Sequence, residues 1–304
     1  MSIASAAART PRAPQVPLVS LDYLWFQVAG TVCNLRCTHC FISCAPDNHS
    51  FWFLDLPTVL DYLERSRAWG VKEYYFTGGE PFMNKELLPM LEATLAVGPA
   101  SVLTNATLLP ERTVRRLAEI EAGSRYSLEL RVSLDGPSPE TNDPIRGEGT
   151  FERAMEGVGR LVEHGFLPII TAAQVWCPHE DEAVLDRFYA SCRKVRYERP
   201  RIKILPSIHL GREVLRSRGY DDSEIVTAEM MEGHDLTTLL CSSGRVVTNR
   251  GVYVCPILID DEGANLGDSL EAADRPFEID RSACYTCWLH GAICTNTGHL
   301  GGEA

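Results

Sequence analysis

Apolar positions along this chain alternate between short dense runs and longer stretches of helical spacing. Residues 23–28 are a run of aromatic and branched side chains, the composition of a short buried strand. Leu56, Val59, Leu60 and Leu63 then recur at helical spacing, with Pro57 where a first turn tolerates it. Residues 72–76 read as a second strand ending at Gly78-Gly79, residues 85–97 as a helix, and residues 101–104 as a third strand. Pro110 opens a helix carrying Val114, Leu117 and Ala118, and residues 127–134 form a fourth strand that stops at the turn signal Asp135-Gly136-Pro137. Phe151, Ala154, Met155, Val158 and Leu161 predict another amphipathic helix. Residues 167–175 follow as a fifth strand, residues 181–195 as a helix, and residues 202–205 as a sixth strand.

Six strand-then-helix passages within residues 23–206 demand a parallel sheet, because parallel neighbours cannot be joined by hairpins. The class is α/β. Periodicity does not choose between an open doubly wound sheet and a partial barrel, and in both the chemistry gathers at the C-terminal ends of the strands. From about residue 207 the pattern changes. Residues 210–235 are polar and charged, and Asn249-Arg250-Gly251 joins residues 245–248 to 252–254 as a β-hairpin. The expected organisation is a tail over residues 1–21, an α/β unit over 22–206, and a small cysteine-rich unit of hairpin and loops over 207–304.

The chain has 304 residues, 45% apolar and 23% charged, enough to bury a full core. Lys plus Arg total 29 against 41 Asp plus Glu, a formal net charge of -12. That balance argues against nucleic acid or an anionic membrane as the main partner. No apolar stretch is long enough to span a bilayer. The N-terminus lacks the order of a secretory signal, and residues 1–14 read as a frayed tail, so a cytoplasmic location is expected.

Cysteine changes the picture. There are eleven, four of them between Cys33 and Cys44 and five between Cys241 and Cys294. A disulfide scaffold suits a small secreted chain, whereas clustered thiols in a reducing compartment point to metal or redox chemistry. Cys33-x3-Cys37-x2-Cys40 directly follows the first strand. Three thiolates on one tight loop hold three corners of a cubane iron–sulfur cluster and leave the fourth iron open. Zinc and reactive surface thiols remain the alternatives from spacing alone, and Cys44 is read as a packed non-ligand.

Thr77-Gly78-Gly79-Glu80-Pro81 stands at the end of the second strand. Its glycines let a ligand approach the backbone, and carbonyls with Glu80 suit a cationic amine. One strand after the cysteine loop, this pair of motifs resembles the radical S-adenosylmethionine (radical SAM) superfamily over roughly residues 22–206. His39 holds the aromatic position before the last cysteine of the motif.

The resemblance implies a partial (βα)6 barrel in which Cys33, Cys37 and Cys40 bind a [4Fe–4S] cluster. Its open iron would chelate S-adenosylmethionine, whose reductive cleavage gives a 5'-deoxyadenosyl radical. It also implies cofactor contacts at His39, Gly78, Gly79, Glu80, Thr104, Asn105, Ser133, Asp135, Arg146 and Leu205, and an electron donor such as a flavodoxin or ferredoxin. Thr104, Ser133 and Asp135 are also ordinary strand-end and turn residues.

The second set is Cys241-x13-Cys255-x28-Cys284-x2-Cys287, with Cys294 beyond. Four thiolates from two pairs suit zinc or a fully ligated cluster equally by spacing. The arrangement resembles the Twitch domain, the shortened form of the SPASM extension, which implies one auxiliary [4Fe–4S] cluster; Cys294 is a spare or a substitute ligand. Gln174, Trp176 and His209 follow late strands, and Gln174 and His209 are weak catalytic candidates, His209 as a proton acceptor.

The function expected from these features is a radical SAM oxidoreductase that removes two electrons from its substrate. A small metabolite is favoured, because the first strand starts near Tyr23 and leaves no room for a peptide-gripping winged module. The alternatives are a peptide-modifying maturase and a non-catalytic iron–sulfur electron carrier. Gly78 to Pro81, Ser133 and Arg146 count against the carrier, which needs no nucleoside pocket.

Overall fold

The computed structural model describes residues 13–293 and residue 295. Tyr23–Phe26 form strand β1, with all four side chains buried. A strand buried on both faces belongs inside a parallel sheet, and β1 has parallel neighbours on both sides. On one side stand, in order, β2 (Glu73–Phe76), β3 (Ala100–Thr104), β4 (Leu128–Ser133), β5 (Ile169–Ala173) and β6 (Arg201–Leu205). The crossovers carry α1 (Leu56–Ser66), α2 (Leu87–Thr94), α3 (Glu111–Ala122), α4 (Pro139–Arg146), α5 (Thr150–Glu163) and α6 (Asp181–Lys194). The α/β class and all six strands match the expectation. The barrel is open: among the described residues β6 is an edge and does not pair back onto β1.

Local sequence explains the helices. Asp55 caps α1 by accepting from the Thr58 amide at 2.9 Å, and Pro57 sits in the first turn. In α5, Phe151, Ala154, Met155, Val158 and Leu161 all face the core. The short helix α4 was not foreseen from the pattern, because Pro139 and Pro144 make its sequence read as turn. Pro139 lies in its first turn, where no backbone donor is missed, and Ser138 precedes it as the cap.

The sheet continues past β1. Strand β7 (Gly244–Thr248) pairs with β1 in parallel, Trp25 opposite Val246, and the hairpin partner β8 (Gly251–Tyr253) and then β9 (Asn265–Gly267) extend it antiparallel. The predicted hairpin is therefore in the far wing of a sheet that has nine strands among the described residues. Gln15–Val16 pairs with Phe277–Glu278, which ties the start of the described chain to the C-terminal region. Helix α7 (Ser282–His290) carries Cys284 and Cys287. Among the described residues no helix is long and apolar enough to cross a membrane.

Candidate functional site

A cavity of about 250 Å³ opens where the parallel strands end, walled by Gln27, Thr77, Thr104, Ser133, Ala173 and Leu205. Cys33, Cys37, Cys40 and Cys44 line it together. The loop that bears them closes on itself. Val32 bridges Ala45, the Cys33 amide donates to Ala45 O at 3.2 Å, and the Ala45 amide returns to Thr31 O at 3.2 Å. Burial pushes the Cys33 thiol up to about 12 and also raises Cys37, whereas a hydrogen bond from Cys44 brings Cys40 down to about 6. Cys33 and Cys37 are poor thiolates on their own, and a bound iron–sulfur group would supply the missing positive charge, so this donor set fits such a group.

The Gly-Gly turn lies directly beneath the loop. Gly78 has φ +128, and a Cβ on Gly79 would stand 2.0 Å from Val32 O. The Gly79 amide donates to Gly30 O at 3.0 Å and the Glu80 amide to Val32 O at 3.1 Å. Thr77 and the backbone of Gly78 and Gly79 line the cavity at this turn. The Glu80 side chain points the other way. Fully buried, it accepts from Thr104 Oγ1 and the Asn105 amide at 2.8 Å each and from the Phe82 amide at 3.1 Å. Burial raises its carboxyl to about 7 despite these bonds. Asn105 in turn reaches the cysteine loop, donating to Asn34 Oδ1 at 2.9 Å.

Asp135 forms the opposite wall. Its Oδ1 accepts from the Ala173 amide at 3.0 Å, and its Oδ2 faces Arg146 Nε at 2.6 Å and His39 Nε2 at 2.7 Å. Burial acts to raise this carboxyl, but Arg146 and then His39 overcome it and hold it well below the usual carboxylate range. The Thr38 amide donates to Ile145 O at 2.8 Å, which docks the end of α4 onto the loop. His39, Gly78, Gly79, Thr104, Asn105, Ser133, Asp135, Arg146 and Leu205 thus meet at one cavity with the three thiols, and Glu80 stands behind them.

Other residues fall elsewhere. Gln174 and His209 line a separate, more open hollow that shares only the Pro206–Ser207 wall with the central cavity. Gln174 Nε2 donates to Asp181 Oδ1 at 3.0 Å, and the His209 ring stands 5.2 Å from that of Tyr220. Trp25, Gln27, Arg131 and Thr171 line the central cavity and were not singled out from the sequence. They occupy inward positions of β1, β4 and β5 or the residue just past β1, and strand alternation was the signal that marks them.

Cys241, Cys255, Cys284 and Cys287 come together around an otherwise apolar hollow, with Leu239, Val254, Phe277 and Ile279 among its walls. Burial pushes Cys241 up to about 12 and Cys255 up to about 11, and raises Cys284 further. Thiols raised in this way ionise readily only beside a positive group. Cys294 lies outside the described residues. Ile257 lines both hollows, so the two thiol sets share a wall. Cys177 is exposed and Cys192 is buried in α6, away from either set.

Residues 28–187, more than half the chain, match the family model described as the Radical SAM superfamily. Over 258 residues the chain is 27% identical to the mycofactocin maturase MftC of Mycolicibacterium smegmatis, covering 76% of this chain and 63% of MftC. SuiB of Streptococcus suis, solved bound to its precursor peptide SuiA, superposes with a TM-score of 0.60 at 16% identity, covering 83% of this chain and 63% of SuiB. Native anSMEcpe with bound AdoMet gives a TM-score of 0.60 at 15% identity, covering 83% of this chain and 80% of that one. At such identities the structural likeness is one of fold. The chain spans less than two thirds of the MftC and SuiB chains it matches.

These findings correct the preference for a small-molecule substrate. MftC is a maturase and matches this chain over three quarters of its length, and SuiB was solved with a precursor peptide. The preference rested on the distance from the first residue to Tyr23, and that distance does not report on what a cavity admits.

Proposed function

Because the chain belongs to the radical SAM superfamily, we propose that it is a peptide-modifying radical SAM enzyme that oxidises a residue of its substrate by two electrons. The family implies a [4Fe–4S] cluster and S-adenosylmethionine, and when bound these supply reductive sulfonium cleavage and a hydrogen-abstracting radical. Cys33, Cys37 and Cys40 are the thiols that would hold the cluster. The single observation that carries the reading is that these three share one cavity with the Gly78–Gly79 turn and the Asp135–Arg146 pair.

The chain's own residues divide the remaining work. Gly78 and Gly79, which carry no side chain, offer backbone groups for polar contacts in the cavity. Asp135 fixes the Arg146 guanidinium and the His39 ring at the rim of the thiol loop, so both are oriented before anything binds. Leu103, Leu205, Ile208 and Ile293 give the cavity apolar walls that keep water away from a reactive species. Cys241, Cys255, Cys284 and Cys287 would hold an auxiliary [4Fe–4S] cluster, and the shared Ile257 wall supports its serving as the acceptor of the second electron. The peptide class is supported by the match to the maturase, which runs well beyond the length of the barrel.

The test is anaerobic reconstitution followed by S-adenosylmethionine, dithionite and short peptides encoded beside the gene. The expected result is 5'-deoxyadenosine together with loss of two hydrogens from one peptide by mass spectrometry. Deoxyadenosine without any change in a peptide overturns the substrate class, and no deoxyadenosine from cluster-loaded protein overturns the activity.

A further inference from the structure

The chain beyond β6 turns back over the cysteine loop, and Arg212 is the residue that meets it. Its Nε donates to Cys37 O at 2.8 Å, its Nη1 to Ser43 O at 2.8 Å and its Nη2 to Cys44 O at 2.5 Å. Its backbone amide donates to Cys40 O at 3.0 Å. One residue therefore satisfies four carbonyls spread along the second half of the loop. The approach needs Gly211, whose φ is +54 and whose Cβ, if present, would stand 2.4 Å from Phe41 O and 2.7 Å from Cys40 O.

A flexible loop of this length pays conformational entropy to hold its thiols at fixed spacing. The planar fork of a guanidinium meets several acceptors at once with less loss of freedom than an ammonium. The same fork brings a full positive charge to the Cys37, Ser43 and Cys44 carbonyls, beside the thiol loop.

We propose that Arg212 is the positioning residue of the cysteine loop, holding Cys37 and Cys40 in place and raising the reduction potential of the group they bind. The inference rests on the reading of Cys33, Cys37 and Cys40 as cluster ligands. A nearby cation stabilises the more negative, reduced state of a cluster and so eases its one-electron reduction. A merely structural clip between the linker and the loop would alter stability and leave the potential where it was.

Two measurements on the full chain test this, with Arg212→Gln and Arg212→Lys. In metal-free protein under anaerobic conditions, iodoacetamide alkylation of Cys37 and Cys40 is followed by mass spectrometry, with exposed Cys177 as internal reference. Several-fold faster labelling is expected in both variants, since neither supplies the fork. In reconstituted protein that also carries Cys284→Ala and Cys287→Ala, the remaining cluster is titrated by electron paramagnetic resonance. The Arg212→Gln midpoint should move negative, each tenfold loss in the reduction equilibrium reading as about 59 mV, and Arg212→Lys should fall between it and the parent. Parental labelling in both variants, or a parental midpoint in Arg212→Gln loaded to the parental iron content, overturns the proposal. If Cys37→Ala leaves the resonance signal unchanged, the ligand reading fails instead, and the labelling arm still judges Arg212.

Discussion

Arg146 Nε lies 2.6 Å from Asp135 Oδ2 at the rim of the thiol cavity, with the Asp135 side chain wholly buried and Arg146 only 10% exposed. His39 Nε2 shares the same carboxylate oxygen at 2.7 Å. The three residues come from the cysteine loop, the end of β4 and the end of α4, so one carboxylate joins three separate elements around the cavity.

Asp135→Asn removes that shared partner and leaves a buried cation uncompensated, a loss of about 3–5 kcal/mol. The folded-state pKa of Asp135 is depressed, so its contribution is present above the ordinary carboxyl value and is lost as pH falls through the folded value. Denaturant titrations should therefore show the gap between parent and variant at neutral pH, closing progressively below about pH 4. A gap that stays constant into acid would contradict the pairing.

Glu80 behaves with the opposite sign. Its folded pKa is raised to about 7, above an unfolded value of about 4.3, so the folded state binds the extra proton between them. Its contribution to stability falls as pH rises through that window, by at most about 1.4 kcal/mol per pH unit. Glu80→Gln should flatten this slope. It should also cost about 1–3 kcal/mol, because one amide oxygen cannot serve Thr104 Oγ1 and the Asn105 and Phe82 amides together. An unchanged slope between pH 4 and 7 would place the titration elsewhere.

The two thiol sets should separate by metal analysis. On the proposed function, Cys37→Ala is expected to abolish S-adenosylmethionine cleavage while iron proposed at Cys241, Cys255, Cys284 and Cys287 stays. Cys284→Ala with Cys287→Ala should lower iron and acid-labile sulfide by about four each per chain if that site is a four-thiolate cluster. Loss of zinc with unchanged sulfide would replace the auxiliary cluster by a zinc site.

A chain ended at residue 206 loses β7 and bares the edge of β1, a strand whose four residues are all buried in the whole protein. Bare apolar edges template aggregation. The truncated chain is expected to aggregate on expression, as read by size-exclusion chromatography. A monomeric 1–206 fragment with a cooperative thermal transition would show that the barrel stands without its extension.

Much of the candidate site was legible as a set of motifs because those motifs are local. Cys33, Cys37 and Cys40 lie within one turn-sized loop, and Gly78-Gly79-Glu80 is contiguous. Glu80 was legible as a motif residue, but its direction was not: burial turned its carboxylate onto Thr104 and Asn105 rather than into the cavity. Arg212 lies 175 positions from Cys37 and carries no motif, so nothing in its neighbourhood along the chain marks it. The substrate expectation failed for a different reason, since it drew on where the first strand begins.

The order of apolar and polar residues by itself determined the six strands, most of their helices and the clustering of thiols, because periodicity and short spacing act between near neighbours in the chain. Tertiary structure alone decided that β7 completes β1, that Asp135 holds Arg146 and His39 on one oxygen, and that Arg212 reaches back to the cysteine loop. Most of those contacts join residues far apart in the chain, and their energy comes from burial and from the pairing of groups cut off from water, which exists only once the sheet has formed.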